Sequence, residues 1–281
     1  MATKAIPVGY QGVPGAYSHM ALLQYFQGQE VQAENFMLFE DVVQAVAEGK
    51  VRYGVLPIEN SSTGGITDVY DLARRYSIFI VGEKILKIEH CLLAYPGTCL
   101  ENITEVYSHP QGFSQCSLFF KEHPVMRQFN YFNTAKAAEL VAEKKDPHMA
   151  AVAGVQAADQ YGLEILARGI NTNKSNYTRF IIISREQELV PEADKITLIV
   201  SLKHQPGSLY RLLAHFAQQN INMTNIESRP YPGRPWEYYF HMDITGHLTD
   251  PAVQEALQQL PEDTTECKIL GNAPADHGKE A

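Results

Sequence analysis

Small polar side chains stand at the entrance of a strand-like run in the stretch SNYTRF, residues 175–180. The run that follows, 180–183, is apolar and largely β-branched, so it should lie inside a sheet. Polar groups at the mouth of a buried strand need partners, because an unpaired polar group is costly once it leaves water. Either a turn or a small polar ligand must therefore pair with these hydroxyl, amide and guanidinium groups.

Three further clusters of small polar residues follow strand-like runs earlier in the chain. In 9–19 the glycines are spaced G-x-x-G-x-x-G, which is not the dinucleotide pattern, and free N–H groups at a helix start suit a carboxylate. The turn 59–65 is rich in Asn, Ser and Gly, and 108–111 is followed by Gln115 one helical turn later. Each cluster alone is typical of an ordinary turn. Four in one domain favour a small-molecule cleft, although no Ser-His-Asp arrangement around His109 follows from the sequence.

The elements that position these clusters alternate between strand-like and helix-like segments over residues 1–184, which predicts an α/β domain. So many strand-to-helix transitions gather helix N-termini at the carboxyl edges of the strands. Open α/β sheets bind their ligands at such edges. We therefore expect the four clusters to meet at one edge.

A second pattern begins after a charged, proline-containing linker at 185–194. Residues 195–271 read as strand, helix, two strands, helix and strand, and this βαββαβ order predicts a small ferredoxin-like module. Ser208 and Asp250 precede the two helices in positions that suit N-caps. The tail 272–281 is expected to be disordered.

Composition excludes several classes of protein. The 281 residues carry a net charge of −9, and no run of Lys or Arg is longer than a pair, which argues against a nucleic-acid or acidic-membrane partner. No apolar run approaches the length needed to cross a bilayer, and the first residues lack an apolar signal core. We expect a cytoplasmic protein.

The four cysteines and ten histidines do not have the spacing of a metal site. Cys91 follows His90, but no C-x-x-C pair occurs anywhere in the chain. We expect reduced, structural thiols and no metal.

The polar clusters also carry a family resemblance. GVPGAYSH, YGVLPIENSSTGGI, VYSHPQGFSQCS, YGLEILARGI and NYTRF resemble the motifs of prephenate dehydratases, in family order. PGSLYRLLAHFA and NIESRP resemble the phenylalanine-responsive form of the ACT regulatory domain. The resemblance runs from about Gly9 to Leu270, and the dehydratase motifs begin at once, so it indicates the monofunctional form without a fused chorismate mutase. Ser208 stands where the family usually has alanine.

The resemblance implies a two-lobed catalytic domain like that of periplasmic solute receptors, with prephenate in the cleft. Loss of CO₂ supplies the electrons that expel the ring hydroxyl, so no cofactor is implied. Thr178 would help the hydroxyl leave, and His109 would shape its loop. Arg179 would bind a substrate carboxylate or pair with Glu59. The implied substrate-binding residues are Ser18, Glu59, Asn60, Ser61, Ser108, Gln115, Arg179 and Phe180.

For the second module, the resemblance implies allosteric control by phenylalanine. A free sheet edge and face invite pairing with another copy, so we expect a homodimer or a homotetramer. The implied effector residues are Pro206, Gly207, Ser208, Leu209, Glu227, Ser228, Arg229 and Pro230.

Two other functions stay open from the residues. Arogenate dehydratases perform the same elimination on the amino-acid analogue, and no single residue distinguishes the two substrates. A non-catalytic sensor with two lobes and an ACT module is the alternative of another class.

Overall fold

The computed structural model describes residues 5–278, which form two α/β lobes followed by a third, smaller α/β layer. A short 3₁₀ helix covers Leu100–Asn102. In chain order the strands and α-helices are β1 (Ile6–Gln11), α1 (Tyr17–Tyr25), β2 (Val31–Phe36), α2 (Phe39–Ala47), β3 (Tyr53–Asn60), β4 (Gly64–Gly65), α3 (Thr67–Arg75), β5 (Phe79–Lys87), β6 (His90–Ala94), β7 (Glu105–Ser108), α4 (Pro110–Gln115), α5 (Ser117–Glu122), β8 (Arg127–Asn130), α6 (Thr134–Lys144), β9 (Met149–Gly154), α7 (Val155–Tyr161), β10 (Glu164–Ala167), β11 (Tyr177–Ser184), β12 (Lys195–Leu202), α8 (Ser208–Gln218), β13 (Met223–Pro230), β14 (Tyr238–Thr245), α9 (Pro251–Asp263) and β15 (Thr264–Ala273).

The first lobe is a mixed sheet in the order β2-β1-β3-β11-β5, with the short β4 beside β3. β1 runs parallel to β2 and β3, whereas β11 is antiparallel to both of its neighbours. Helix α1 packs on one face of this sheet and α2 and α3 pack on the other, each over its own apolar core. β11 returns to this lobe after the chain has built the second one.

The second lobe is another mixed sheet, in the order β10-β6-β9-β7-β8. Two crossings connect the lobes, at 88–89 and 168–176. The buried amide of Asn171 ties them together: its Oδ1 accepts from His90 N at 2.6 Å and its Nδ2 donates to Ile88 O at 3.2 Å. The predicted two-lobed α/β domain with a cleft is confirmed.

The third layer has the predicted βαββαβ order and the sheet order β13-β14-β12-β15. Helices α8 and α9 cover one face. The other face packs on the first lobe, where Ile199, Tyr239 and Leu270 join the core of α2 and α3. A Cβ at Gly271 would lie 1.9 Å from the carbonyl oxygen of Ile80, so β15 approaches β5 at a distance that only glycine allows. The two domains therefore share a packed core.

The tail differs from our expectation. β15 continues to Ala273, and Asp276 then accepts from Ile85 N at 2.9 Å and pairs with Lys84 at 3.2 Å. The predicted disorder is wrong for 272–278, because these carboxylate contacts hold the segment beside β5. Residues 279–281 lie outside the described part.

Strands β2 and β8 were not anticipated, because they are edge strands whose residues are mostly exposed and polar. Within residues 5–278, no helix is long and apolar enough to cross a membrane.

Candidate active site

A cavity of about 370 Å³ lies between the two lobes. The N-cap residues of four helices line it: Ala16 of α1, Ile66 of α3, His109 of α4 and Asn133 of α6. Four of the residues expected to bind substrate line it, Ser18, Asn60, Gln115 and Phe180, together with Thr178, the expected catalytic residue. Other lining residues include Gln11, Gly12, Ala16, Tyr17, His90, His109, Gln111, Gly112, Phe132, Asn133 and Thr134.

Thr178 and Asn60 face each other across the antiparallel pair of β11 and β3. The Asn60 Nδ2 lies 2.9 Å from Thr178 Oγ1 and 2.8 Å from the Oδ1 of the buried Asn176. Asn60 thus joins Asn176 and Thr178, which lie more than a hundred residues later in the chain, in one hydrogen-bonded group at the wall of the cleft.

The turn after Asn60 fixes the orientation of its amide. Asn60 Oδ1 accepts from the backbone N–H groups of Ser62 at 2.9 Å and Thr63 at 3.2 Å. Backbone N–H groups only donate, so this atom must be the amide oxygen and the NH₂ group must face Thr178. Thr178 Oγ1 therefore accepts from Asn60, and its own proton is left to be donated to another group.

Glu59 and Arg179 lie on the opposite face of the same strands, because successive side chains of a strand alternate. Arg179 Nη2 donates to Glu59 Oε2 at 2.8 Å, and Nη1 donates to Asp243 Oδ2 at 2.7 Å. Neither residue is among those that line the cleft. Of the two roles considered for Arg179, the structure has the pairing with Glu59.

Ser61 and Ser108 also lie outside the cleft lining. Ser61 Oγ accepts from Tyr177 N at 2.9 Å and thereby joins the turn after β3 to the start of β11. Ser108 is fully buried and donates to Val152 O at 2.8 Å. A Cβ at Gly112 would lie 2.6 Å from Ser108 Oγ, so this serine packs directly against the backbone of α4.

Gln115 projects into the cleft from the last residue of α4, and its partner is His90, which sequence reasoning missed as a cleft residue. His90 Nε2 lies 2.8 Å from Gln115 Oε1. Burial lowers the pKa of His90, so the ring is neutral at pH 7. His90 Nδ1 is buried and has no hydrogen-bond partner among the described residues, so the ring proton belongs on Nε2, which then donates to the Gln115 oxygen and leaves the Gln115 NH₂ group available as a donor.

His109 is the N-cap of α4, and its Nδ1 accepts from Gln111 N at 3.2 Å. Partial burial lowers its pKa, which keeps the ring neutral. Both features agree with the expected role in shaping the loop.

The lining of the cleft combines apolar residues with polar side chains that carry no full charge. Among the described residues that form it, none is Asp, Glu, Lys or Arg. Ser18 lies in the first turn of α1, whose N-terminus has neither a side-chain cap nor an acidic residue. Donors for an anion here are amide and hydroxyl groups and the backbone N–H groups of helix starts.

The residues expected to bind the effector form two separate segments of the third layer. Gly207, with a φ of 81°, is the N-cap of α8, and Ser208 is buried beside it. On β13, Glu227 and Arg229 are half-buried whereas Ser228 and Pro230 are exposed. Arg229 forms an ion pair with Asp71 of α3 at 3.0 Å.

Comparison with known proteins identifies both domains. Residues 8–188 match the family model of prephenate dehydratase, and residues 196–262 match that of the ACT domain. The bifunctional chorismate mutase/prephenate dehydratase of Escherichia coli K12 is 39% identical over 276 residues, which cover 96% of this chain and 71% of the relative. Arogenate dehydratase 1 of Petunia hybrida is 39% identical, covering 98% of this chain and 68% of the relative.

Two solved structures superpose over nearly the whole chain. A prephenate dehydratase of Arthrobacter aurescens in complex with L-Phe has a TM-score of 0.89 at 30% identity, covering 98% of this chain and 92% of its own. GqqA, described as a novel type of quorum-quenching acylase, has a TM-score of 0.87 at 35% identity, covering 96% and 98%.

Proposed function

This chain belongs to the prephenate dehydratase family and carries an ACT domain, and we propose that it converts prephenate to phenylpyruvate, CO₂ and water. The observation that carries this is the hydrogen-bonded pair of Asn60 and Thr178 at the cleft. Because Asn60 donates to Thr178, the threonine proton is available to a leaving hydroxyl.

The reaction needs a proton donor and little else from the protein. The ring carboxylate leaves as CO₂, the electron pair of its C–C bond enters the ring, and the C–O bond to the hydroxyl breaks. Thr178 donates a proton to that oxygen, which departs as water, and the threonine recovers a proton from solvent. Threonine is a weak acid, so the formation of the aromatic ring provides most of the driving force.

Prephenate is a dianion, and an uncharged cleft must bind it through oriented dipoles. The N-terminus of α1, where Ala16, Tyr17 and Ser18 line the cleft, presents backbone N–H groups to one carboxylate. The freed NH₂ group of Gln115 is a further donor. Such preorganised donors stabilise a developing charge without moving during the reaction.

The same lining favours prephenate over arogenate. Arogenate carries an ammonium group where prephenate has a keto oxygen, and a buried ammonium needs a carboxylate or several acceptors. Since none of the described lining residues is acidic, we expect kcat/KM for prephenate to exceed that for arogenate by at least about tenfold, measured side by side with the purified enzyme. A preference for arogenate would reverse the assignment.

Acylase activity is the second candidate, because one similar structure is described as an acylase. Amide hydrolysis by a hydroxyl nucleophile requires a base bonded to it. In the described cleft, the recorded histidine contacts of His90 and His109 go to Gln115 and to a backbone N–H, not to a hydroxyl. The geometry therefore favours the dehydratase.

We further propose that L-phenylalanine, the transamination product of phenylpyruvate, inhibits the enzyme through the ACT domain of a homodimer or homotetramer. Support comes from the start of α8, which presents N–H groups beside Gly207, and from the exposed face of β13 with Ile226, Ser228 and Pro230. Exposed Leu209 and Tyr210 lie on the same helix start. β13 is an edge strand of the ACT sheet. If two copies pair along β13, residues 206–209 of one subunit would come close to residues 227–230 of the other.

Gly207→Ala tests this effector site. A φ of 81° is strained for alanine, so the substitution should distort the start of α8. We expect the phenylalanine concentration for half-inhibition to rise at least about tenfold, with kcat in its absence within twofold of wild type.

The matched control for this variant is Gly162→Ala, which introduces the same kind of strain (φ 66°) in the second lobe. It should leave inhibition unchanged. If Gly207→Ala is inhibited like wild type, the effector does not bind at this helix start. Deletion of the whole ACT domain is a poorer test, because it would uncover the apolar residues that pack on α2 and α3.

A further inference from the structure

The reverse face of strand β11 connects the catalytic pair to the ACT domain. Thr178 and Asn60 are partners in the ladder of β11 and β3, and Arg179 and Glu59 are the next pair along. The side chains of the first pair face the cleft, whereas those of the second pair face the ACT sheet. Contacts that fix the side chains of Arg179 and Glu59 therefore also restrain the neighbouring backbone of Thr178 and Asn60.

The hydrogen-bond ladder between β11 and β3 is irregular next to Arg179. Its register shifts between Arg179 and Phe180, where Arg179 opposes Glu59 but Phe180 opposes Pro57. A bulge of this kind interrupts the regular backbone hydrogen bonds, and Pro57 has no N–H to donate. The ladder between β11 and β5 stays regular over 177–182, so the weak place is the join between β11 and β3, and there side-chain contacts add to the interrupted backbone hydrogen bonds.

One of these contacts comes from the ACT domain. Asp243 of β14 accepts from Arg179 Nη1 through Oδ2 at 2.7 Å and from Thr197 Oγ1 through Oδ1 at 2.8 Å. The Asp243 side chain is only 2% exposed and that of Arg179 is 14% exposed. Burial alone would raise the pKa of Asp243, but Arg179, His241 and Lys195 hold it below its usual value, so the carboxyl stays ionised.

Arg179 has few other restraints. Its buried Nε has no hydrogen-bond partner within residues 5–278, and its third carboxylate, Glu83, lies at 3.6 Å and is also paired with Lys195. The guanidinium is thus positioned between Glu59 on one side and Asp243 on the other. Without the charge of Asp243, Arg179 would be free to turn toward Glu59 or Glu83.

We propose that Asp243 is a positioning residue for the dehydration: acting through Arg179 and Glu59, it keeps β11 and β3 in the arrangement that joins Asn60 to Thr178. The ACT domain of this chain then completes the active site even when no effector is bound. This inference rests on the proposed dehydratase function.

Asp243→Asn tests it, because asparagine has nearly the same volume but no charge. We expect kcat for prephenate to fall about tenfold or more, with KM within twofold of wild type, since the Asn60–Thr178 contact matters as the hydroxyl leaves. In a Thr178→Ala background the same change should have almost no further effect, because residues that act as a unit are not additive. A merely structural role would lower activity equally in both backgrounds.

Asp71→Asn is the matched control. Asp71 bridges the same two domains, with Arg229 Nη2 at 3.0 Å and with the Tyr239 hydroxyl, and its hydrogen bonds go to neither β11 nor β3. It should weaken the interface, seen as a lower melting temperature, and leave kcat without effector within twofold. If it lowers kcat as much as Asp243→Asn does, the effect belongs to the interface in general and the proposal fails.

A second variant covers the case in which Asp243→Asn does not fold. Thr197→Val keeps the charge of Asp243 but removes the hydrogen bond to Oδ1. It should lower kcat several-fold with KM nearly unchanged, and a wild-type kcat would overturn the proposal. If the wild-type enzyme does not turn over prephenate, the proposed function itself fails. If the wild-type enzyme is active and Asp243→Asn has the same kcat, only the role of Asp243 is wrong.

Discussion

Thr178→Ala is expected to lower kcat for prephenate by about 10²–10⁴-fold, the usual contribution of a positioned proton donor. The hydroxyl acts chiefly as the C–O bond breaks, so kcat should fall much further than KM rises. Folding should be nearly unaffected, because the side chain is small and lies at the mouth of the buried run of β11. Steady-state kinetics and a thermal melt measure both effects.

Two other substitutions at the same position separate the hydroxyl from the shape of the side chain. Thr178→Ser keeps the hydroxyl and should retain part of the activity, whereas Thr178→Val keeps the shape and should be as inactive as alanine. A Thr178→Ala enzyme with near-normal turnover would show that the leaving hydroxyl takes its proton from elsewhere.

The second large effect is expected for Asn60→Asp. The new carboxylate could still accept from Ser62 N and Thr63 N, but it would present an oxygen where the NH₂ group now faces Thr178. Thr178 would then donate its proton to this carboxylate and not to the substrate. Since loss of one preorganised donor typically costs about 10²–10³ in kcat, we expect a decrease of at least that size.

Asn133→Asp controls for charge in this experiment. Asn133 lines the same cleft as the N-cap of α6, a position where aspartate is well tolerated. It adds the same negative charge without touching Thr178, so KM for the dianion should rise while kcat stays within about threefold. Equal losses of kcat in both variants would mean that the cleft responds to charge, and that the Asn60–Thr178 hydrogen bond has no special part.

A good part of this protein could be predicted from its sequence, because the relevant signals are local. The alternation of strand-like and helix-like segments predicted the α/β lobes, and the order of elements after the linker predicted the βαββαβ layer. The edge strands β2 and β8 were missed, since their polar residues carry no burial pattern. The tail was misjudged because composition alone does not show that Asp276 has partners on β5.

The candidate site was also predicted only in part from the sequence. Polar clusters at strand ends indicated a cleft, and five of the expected residues line it, Ser18, Asn60, Gln115, Thr178 and Phe180. The sequence also implies that Thr178 and Arg179 face opposite ways, because strand side chains alternate. It does not say which face is the cleft and which meets the other domain.

Only the tertiary structure decided the partners across long stretches of chain. Arg179 lies between Glu59 and Asp243, residues far from it in sequence on two different domains, and His90 reaches Gln115 across the second lobe. Such pairs leave no periodic or local signal, because each depends on sheet register and on how whole layers pack together. Residue types and their spacing thus determined the fold class and the place of the chemistry, whereas the packing of three sheets decided which polar groups hold one another and which remain free to act.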